Sequence, residues 1–98
     1  MEISSSHDRV TINGNIKSVS HYQEIKTEIE NVLEKLPDIK SIKIYLVDSI
    51  IITSSVIGFF CKLVNIDNVT IHLHVHDEGL YDLLDDLNIV TLLNVQKI

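Results

Sequence analysis

Thr53, Ser54 and Ser55 stand in a row inside an otherwise apolar run, Ile50 to Phe60, that reads IIITSSVIGFF. Three consecutive hydroxyls have three chemical uses: attack on an acyl or phosphoryl centre, acceptance of a phosphate, or capping of a helix. A serine nucleophile needs a partnered base and an oxyanion hole. No Gly-x-Ser-x-Gly elbow surrounds Ser54, and the sequence identifies no base for it. There is no glycine-rich phosphate loop either. An enzyme is therefore not expected, and no cofactor is implied. Capping and phosphate acceptance stay open.

Two other groups carry potential chemistry. His72, His74 and His76 alternate along one segment. Alternate strand residues lie roughly 6.6 Å apart, so a neighbouring pair could share a metal, whereas the outer two, about 13 Å apart, could not. No Cys, Asp or Glu is placed by local sequence to complete a ligand set, although Asp77 and Glu78 follow closely. A polar strand face with a mild pH response is the plainer expectation, and no metal site is assigned. Cys61, the single cysteine, excludes an internal disulfide framework and a cysteine zinc site. Its apolar neighbours Phe60 and Val64 predict a buried, inert thiol.

These residues need elements to hold them. Val10-Thr11-Ile12 alternates as a strand does, and Asn13-Gly14-Asn15 breaks or bulges it. Val19, Tyr22, Ile25, Ile29, Val32, Leu33 and Leu36 follow one helical face. Ser20 with Gln23 offers a capping box, and Pro37 a stop. Ile42, Ile44, Leu46 and Val47 predict a buried strand ending near Val47. The apolar belt Val56, Ile57, Phe59, Phe60, Leu63 and Val64 requires a helix from about Ser54 to Val64. The hydroxyls then fall at a strand-to-helix junction, with Thr53 as N-cap and Ser54 and Ser55 in the first turn. The apolar run around them is expected to be buried. Val69 to His76 alternates strictly, with Val69, Ile71, Leu73 and Val75 inward. Gly79 is expected to break the chain before an amphipathic helix marked by Leu80, Leu83, Leu84 and Leu87. Ile89 to Val95 is expected to close it as a short helix end or a last strand.

Strands alternating with helices favour an α/β sandwich, and right-handed crossovers place the helices mainly on one face. At 98 residues, 45% of them hydrophobic, the chain suits one folded domain, with its core over about 10–95. A formal net charge of −6 argues against nucleic acid and against an anionic membrane surface. Asp77, Glu78, Asp82, Asp85 and Asp86 cluster late, as a solvated helix face does. No apolar stretch reaches the roughly 18 to 20 residues needed to span a membrane, and the start MEISSSHDR carries no apolar signal region. A cytoplasmic domain without membrane insertion is the expectation.

At the junction the chain resembles the STAS domain family, which includes the bacterial anti-sigma-factor antagonists. Family members carry a strand, a short apolar loop and then Asp-Ser-Ser-Gly-Leu-Gly opening a helix. Here Thr53-Ser54-Ser55-Val56-Ile57-Gly58 stand in that place, after Ile50-Ile51-Ile52. Ile12-Asn13-Gly14-Asn15-Ile16 is similar to the family's early strand end, and Leu87-Asn88-Ile89 with Leu92-Leu93-Asn94-Val95 to its closing stretch. The likeness spans roughly Val10 to Val95. It implies a STAS-like sandwich with a mixed sheet of four or five strands. It also implies a protein–protein switch that binds an anti-sigma-factor serine kinase or another STAS-binding regulator until a serine is phosphorylated. Carried over, Ser54 is the phosphoacceptor, with Ser55 and Thr53 as alternatives. The docking surface is then Thr53, Ser54, Ser55, Val56 and Ile57.

Two positions depart from the family pattern: Thr53 replaces its Asp, and Val56 replaces its first Gly. Thr53 removes a charge that a partner would read, and Val56 is expected to add bulk to the docking surface. A constitutive scaffold subunit, of a stressosome-type assembly or a lipid-transport ATPase complex, needs no phosphate at Ser54 and is the first alternative. A small-ligand or nucleotide sensor, using the helix N-terminus as an anion site, is the second.

Overall fold

The computed structural model describes residues 1–36, 38 and 40–98. Among them run β1 (Glu2–Ser6), β2 (Arg9–Asn13), α1 (Val19–Lys35), β3 (Ser41–Val47), α2 (Ser54–Asn65), β4 (Thr70–Val75), α3 (Glu78–Asp86) and β5 (Gln96–Lys97). The sheet order is β1-β2-β3-β4-β5. β1 is antiparallel to β2, and all later pairings are parallel, so the sheet is mixed and each helix serves as a crossover.

Alternation within the strands decides where the core lies. Val10 and Ile12 on β2, Ile42, Ile44 and Leu46 on β3, and Ile71, Leu73 and Val75 on β4 are all fully buried. The register sets them in common rows on one face, such as Val10 beside Ile44 and Ile44 beside Leu73. The helices bury their apolar stripes in the same core: Ile25, Ile29 and Val32 from α1, Phe59, Phe60 and Leu63 from α2, Leu80 and Leu84 from α3. The strand positions in between stay half-buried or exposed. The helices thus lie on one face of the sheet and leave the other open. Among the described residues, no helix is long and apolar enough to cross a membrane.

Several local expectations need correction. Helix α1 is capped by Ser18, whose Oγ accepts from the His21 N–H at 3.1 Å, and not by a Ser20–Gln23 box. Ser18 is extended and Ser20 is already helical, so the start lies two residues earlier. Val19, expected on the inner face, is consequently 75% exposed in the first turn. Pro37, the expected stop, lies outside the described residues. Gly79 does not break the chain. It sits in the first turn of α3, which Asp77 starts by accepting the Leu80 N–H at 2.9 Å. Ile89 to Val95 forms turns, and only Gln96 and Lys97 join the sheet.

With so few glycines, an asparagine ends α3. Asn88 takes φ of 60° after α3. Its N–H bonds the Asp85 carbonyl and the Ile89 N–H bonds the Leu84 carbonyl, which closes a Schellman motif. Asn tolerates this left-handed conformation better than most side chains do.

Candidate functional site

The junction expected from the hydroxyl run is present. Thr53 is extended at the N-cap of α2, and its Oγ1 accepts from the Val56 N–H at 3.4 Å. Ser54 and Ser55 form the first turn and are exposed. Thr53 is half-buried, with its hydroxyl oxygen engaged in the cap. Two of the three hydroxyls are therefore open to a modifying enzyme, and Ser54 is one of them.

The run before them does not bury. Ile50 is 62% exposed and Ile51 49% exposed, whereas Ile52 packs partly against the core. The cause lies in the backbone. β3 ends at Val47, and Asp48 turns left-handed at φ 54°. The loop is then tied to the turn after β2. The Gly14 N–H bonds the Val47 carbonyl at 2.9 Å, and the Ile16 N–H bonds the Ile51 carbonyl at 2.9 Å. The Asn15 side-chain oxygen accepts from the N–H groups of Ile50 and Ile51, at 2.8 and 3.1 Å. Buried Ser49 donates to the Gly14 carbonyl at 2.7 Å. These bonds hold an irregular loop in one shape and point two isoleucines at solvent.

Residues 14–16 and 49–52 thus form a clasp at the carboxyl ends of the parallel strands β2 and β3. Open α/β sheets place their binding sites at this end. In sequence Asn13-Gly14-Asn15 reads as a break, and nothing local marks Asn15 and Ser49 as its fasteners. Their signal is only a polar side chain flanking a strand end, which many loops share.

A cleft of about 300 Å³ opens beside the clasp, between the starts of α1 and α2. Ser18, Val19 and Tyr22 line one side, and Thr53 and Ser55 the other. A neighbouring cleft is lined by Tyr22, Lys26, Ser55, Gly58 and Lys62. Ser55 borders both. The free N–H groups and dipole of α2 favour an anion at this end although the chain as a whole is acidic, and Lys26 lines the cleft; Lys62, in the last turn of α2, pairs with Asp67 at 3.4 Å. An anionic group on either serine is favoured there electrostatically.

Val56 is fully buried and contributes nothing to a docking surface, contrary to expectation. It points into the core because it begins the inward stripe of α2, with Phe59, Phe60 and Leu63. Ile57 is half-buried. The surface that the fold offers is therefore Ile50, Ile51, Ser54 and Ser55 with Val19, edged by Thr53 and Ile57.

The other candidates fall elsewhere. Cys61 is half-buried rather than fully buried, and burial pushes its thiol above the ordinary value, which disfavours the thiolate. His72 and His74 lie on β4, but His76 lies past its end, with Nδ1 3.7 Å from the Asp48 carboxylate. The His74 ring stacks on Tyr45 with centroids 4.3 Å apart. Among the described residues, no three His, Cys, Asp or Glu side chains converge to hold a metal.

In comparisons with family models, curated proteins and solved structures, the chain matches none of them.

Proposed function

We propose that this chain is a non-enzymatic protein–protein regulatory module that docks its partner at the start of α2. The observation that carries the reading is the juxtaposition of exposed Ile50 and Ile51 with exposed Ser54 on a loop held rigid by the Asn15 and Ser49 bonds. Exposed isoleucines on a rigid loop lose little entropy on docking. A phosphate on Ser54 would add roughly −1.5 to −2 charges beside them, at a helix start that tolerates it. Docking of an apolar or acidic partner surface would be opposed, and the helix would stay formed. This is the physical form of the partner switch that the STAS resemblance implies, with an anti-sigma-factor kinase or a related regulator as partner.

A constitutive scaffold subunit is the second reading. The same two isoleucines favour it, because they dock without any phosphate.

The test is intact mass with fragment mapping on protein purified from its native cells, under growth and under stress, together with the proteins that co-purify. The switch predicts a phosphate on Ser54 that Ser54→Ala removes, and a partner recovered only with the unmodified form. A partner recovered equally with wild type and Ser54→Asp, and lost with Ile51→Asp, assigns the scaffold. A partner that survives Ile50→Asp and Ile51→Asp together overturns both readings.

A further inference from the structure

The sheet face turned away from the helices has a composition unlike the rest of the molecule. Register puts Thr11, Tyr45, His74 and Gln96 in one row across β2 to β5. The next row is Arg9, Lys43 and His72. No described residue of a helix belongs to the core on this side, since every buried strand residue faces the other way. The face therefore holds two permanent cations and two histidines, in a chain of formal net charge −6. Among the described residues, the carboxylate that shares its strand register is Glu2, at the far corner beside Asn13.

The middle of the face is ordered by stacking. The Arg9 guanidinium carbon sits 3.9 Å from the centroid of the Tyr45 ring. The His74 ring lies against Tyr45 at 4.3 Å, with planes 9° apart. Arg9, Tyr45 and His74 thus form a layered stack over three strands. Cation–π attraction fixes a guanidinium that would otherwise be mobile. Both faces of Tyr45 are engaged, so the stack presents edges: guanidinium N–H groups, a phenol hydroxyl and an imidazole nitrogen. Edges of this kind donate hydrogen bonds to carboxylates.

We infer that this open sheet face is a second docking surface, distinct from the α2 start, and that it takes an acidic segment of a partner protein. Charge complementarity selects the occupant. A few carboxylates are matched by Arg9, Lys43 and the two histidines within one strand's length. A nucleic acid fits less well on two counts. Its bases seek free aromatic faces, and those of Tyr45 are occupied. Its evenly spaced phosphates would also be met by only the two permanent cations of these rows, Arg9 and Lys43.

The pH dependence follows from the groups that face His74. These are Arg9 from β2, Lys43 and Tyr45 from β3, and His72 along its own strand; its register partner on β5 is the uncharged Gln96, and His76, past the strand end, lies 3.7 Å from the Asp48 carboxylate. Desolvation by burial lowers the His74 pKa first, and the charges of His72, Arg9 and Lys43 lower it further. A carboxylate bound among them favours the protonated ring, so binding strengthens as pH falls towards 6.

The experiment uses fluorescence anisotropy with a labelled ten-residue glutamate peptide at low salt, repeated with a labelled twelve-residue oligothymidylate. Sedimentation velocity of the chain alone accompanies both. The expected result is peptide binding that weakens with salt and is tighter at pH 6 than at pH 8. Lys43→Glu and Arg9→Ser should each weaken it about threefold to tenfold, in line with exposed charge pairs, while Ile51→Asp leaves it unchanged. Lys43→Gln serves if the charge reversal does not fold, and circular dichroism decides that. Absence of peptide binding, or binding indifferent to Lys43 and Arg9, overturns the inference. Oligonucleotide binding that exceeds peptide binding and depends on Lys43 also overturns it, in favour of nucleic acid. Self-association abolished by Lys43→Glu overturns it in favour of a second copy. Because Ile51→Asp probes the other surface, failure here leaves the α2 reading standing.

Discussion

The buried hydroxyl of Ser49 donates to the Gly14 carbonyl at 2.7 Å and so closes the turn after β3 onto the turn after β2. This one bond joins positions 35 apart in sequence. Ser49 is the one buried polar side chain among the described residues, and no described buried side-chain donor or acceptor lacks a partner. Ser49→Ala removes the donor and leaves the part-buried Gly14 carbonyl short of a partner. A loss of about 1 to 3 kcal/mol of unfolding free energy is expected, read from urea denaturation. Asn15→Ala frees the Ile50 and Ile51 N–H groups and should speed amide exchange there more than it lowers global stability.

Gly58 gives a prediction of the opposite sign. It lies within α2 and is exposed, and a Cβ built there meets no atom within 4 Å. Its backbone is helical, so glycine is not required by conformation. Gly58→Ala should stabilise the fold by about 0.5 to 1 kcal/mol, because the unfolded chain loses freedom and nothing in the native state is displaced. Thermal unfolding measures it. A loss of stability would mean that the added methyl group crowds Tyr22 or Lys62, which line the same cleft.

Val56 separates core from surface at the same helix. It is fully buried, so Val56→Ala should cost about 2 kcal/mol in denaturant unfolding, for two methyl groups and the void they leave. Partner binding per folded molecule should not change. Ile51→Asp should do the reverse, with stability within about 0.5 kcal/mol of wild type, as is usual for exposed sites, and binding lost.

His74 predicts a stability difference with a defined sign. Its pKa lies below the ordinary value of 6.5, from burial first and then from the charges of His72, Arg9 and Lys43. Below pH 6.5 the unfolded chain therefore binds more protons at this position than the folded one. Stability is lost as pH falls through that window, and the contribution vanishes above it. His74→Gln removes the effect. The difference in unfolding free energy between wild type and His74→Gln should be constant above about pH 7.5 and should shift against wild type at lower pH.

How far the sequence discloses all this depends on the element. β2, β3, β4 and the three helices are legible because burial on one side imposes a period, and the period shows in Val10-Thr11-Ile12, in Ile42 to Leu46 and in the heptad-like spacing from Ile25 to Val32. β1 is not legible: Glu-Ile-Ser-Ser-Ser offers one apolar residue, Ile3, which packs only partly against the core. Its turn uses His7 at φ 56°, with no glycine to announce it. β5 is two exposed residues, fixed by pairing with His74 and Val75 rather than by its own pattern. At the site, the Thr53 cap and the exposed Ser54 follow from residue types. The exposure of Ile50 and Ile51 does not, because three isoleucines in a row read as buried. Long-range bonds from Asn15 and Gly14 decide it, and no local pattern encodes them. The sheet-face stack is hidden for the same reason: Arg9, Tyr45 and His74 meet only through register.

Ser54 and Ser55 separate capping chemistry from signalling. Both are exposed in the first turn of α2, yet only Ser55 borders the two clefts, one lined by Lys26 and the other by Lys17. A carboxylate at either position faces the positive end of the helix, so Ser54→Asp and Ser55→Asp should each raise stability by about 0.3 to 1 kcal/mol in urea unfolding. Their effects on docking should differ. A charge at 55 shares its clefts with Lys17 and Lys26, which reduce its field at the Ile50–Ile51 loop. A charge at 54 does not line either cleft and should weaken partner binding more, by about tenfold where it must be desolvated against an apolar partner. Ser54→Ala should bind as wild type. The check is a binding titration of the four forms against the co-purified partner, with stability measured on the same samples. If Ser55→Asp weakens binding more than Ser54→Asp while both are more stable than wild type, the regulatory position is Ser55. If neither changes binding, the hydroxyls serve the helix alone and the isoleucines dock unregulated.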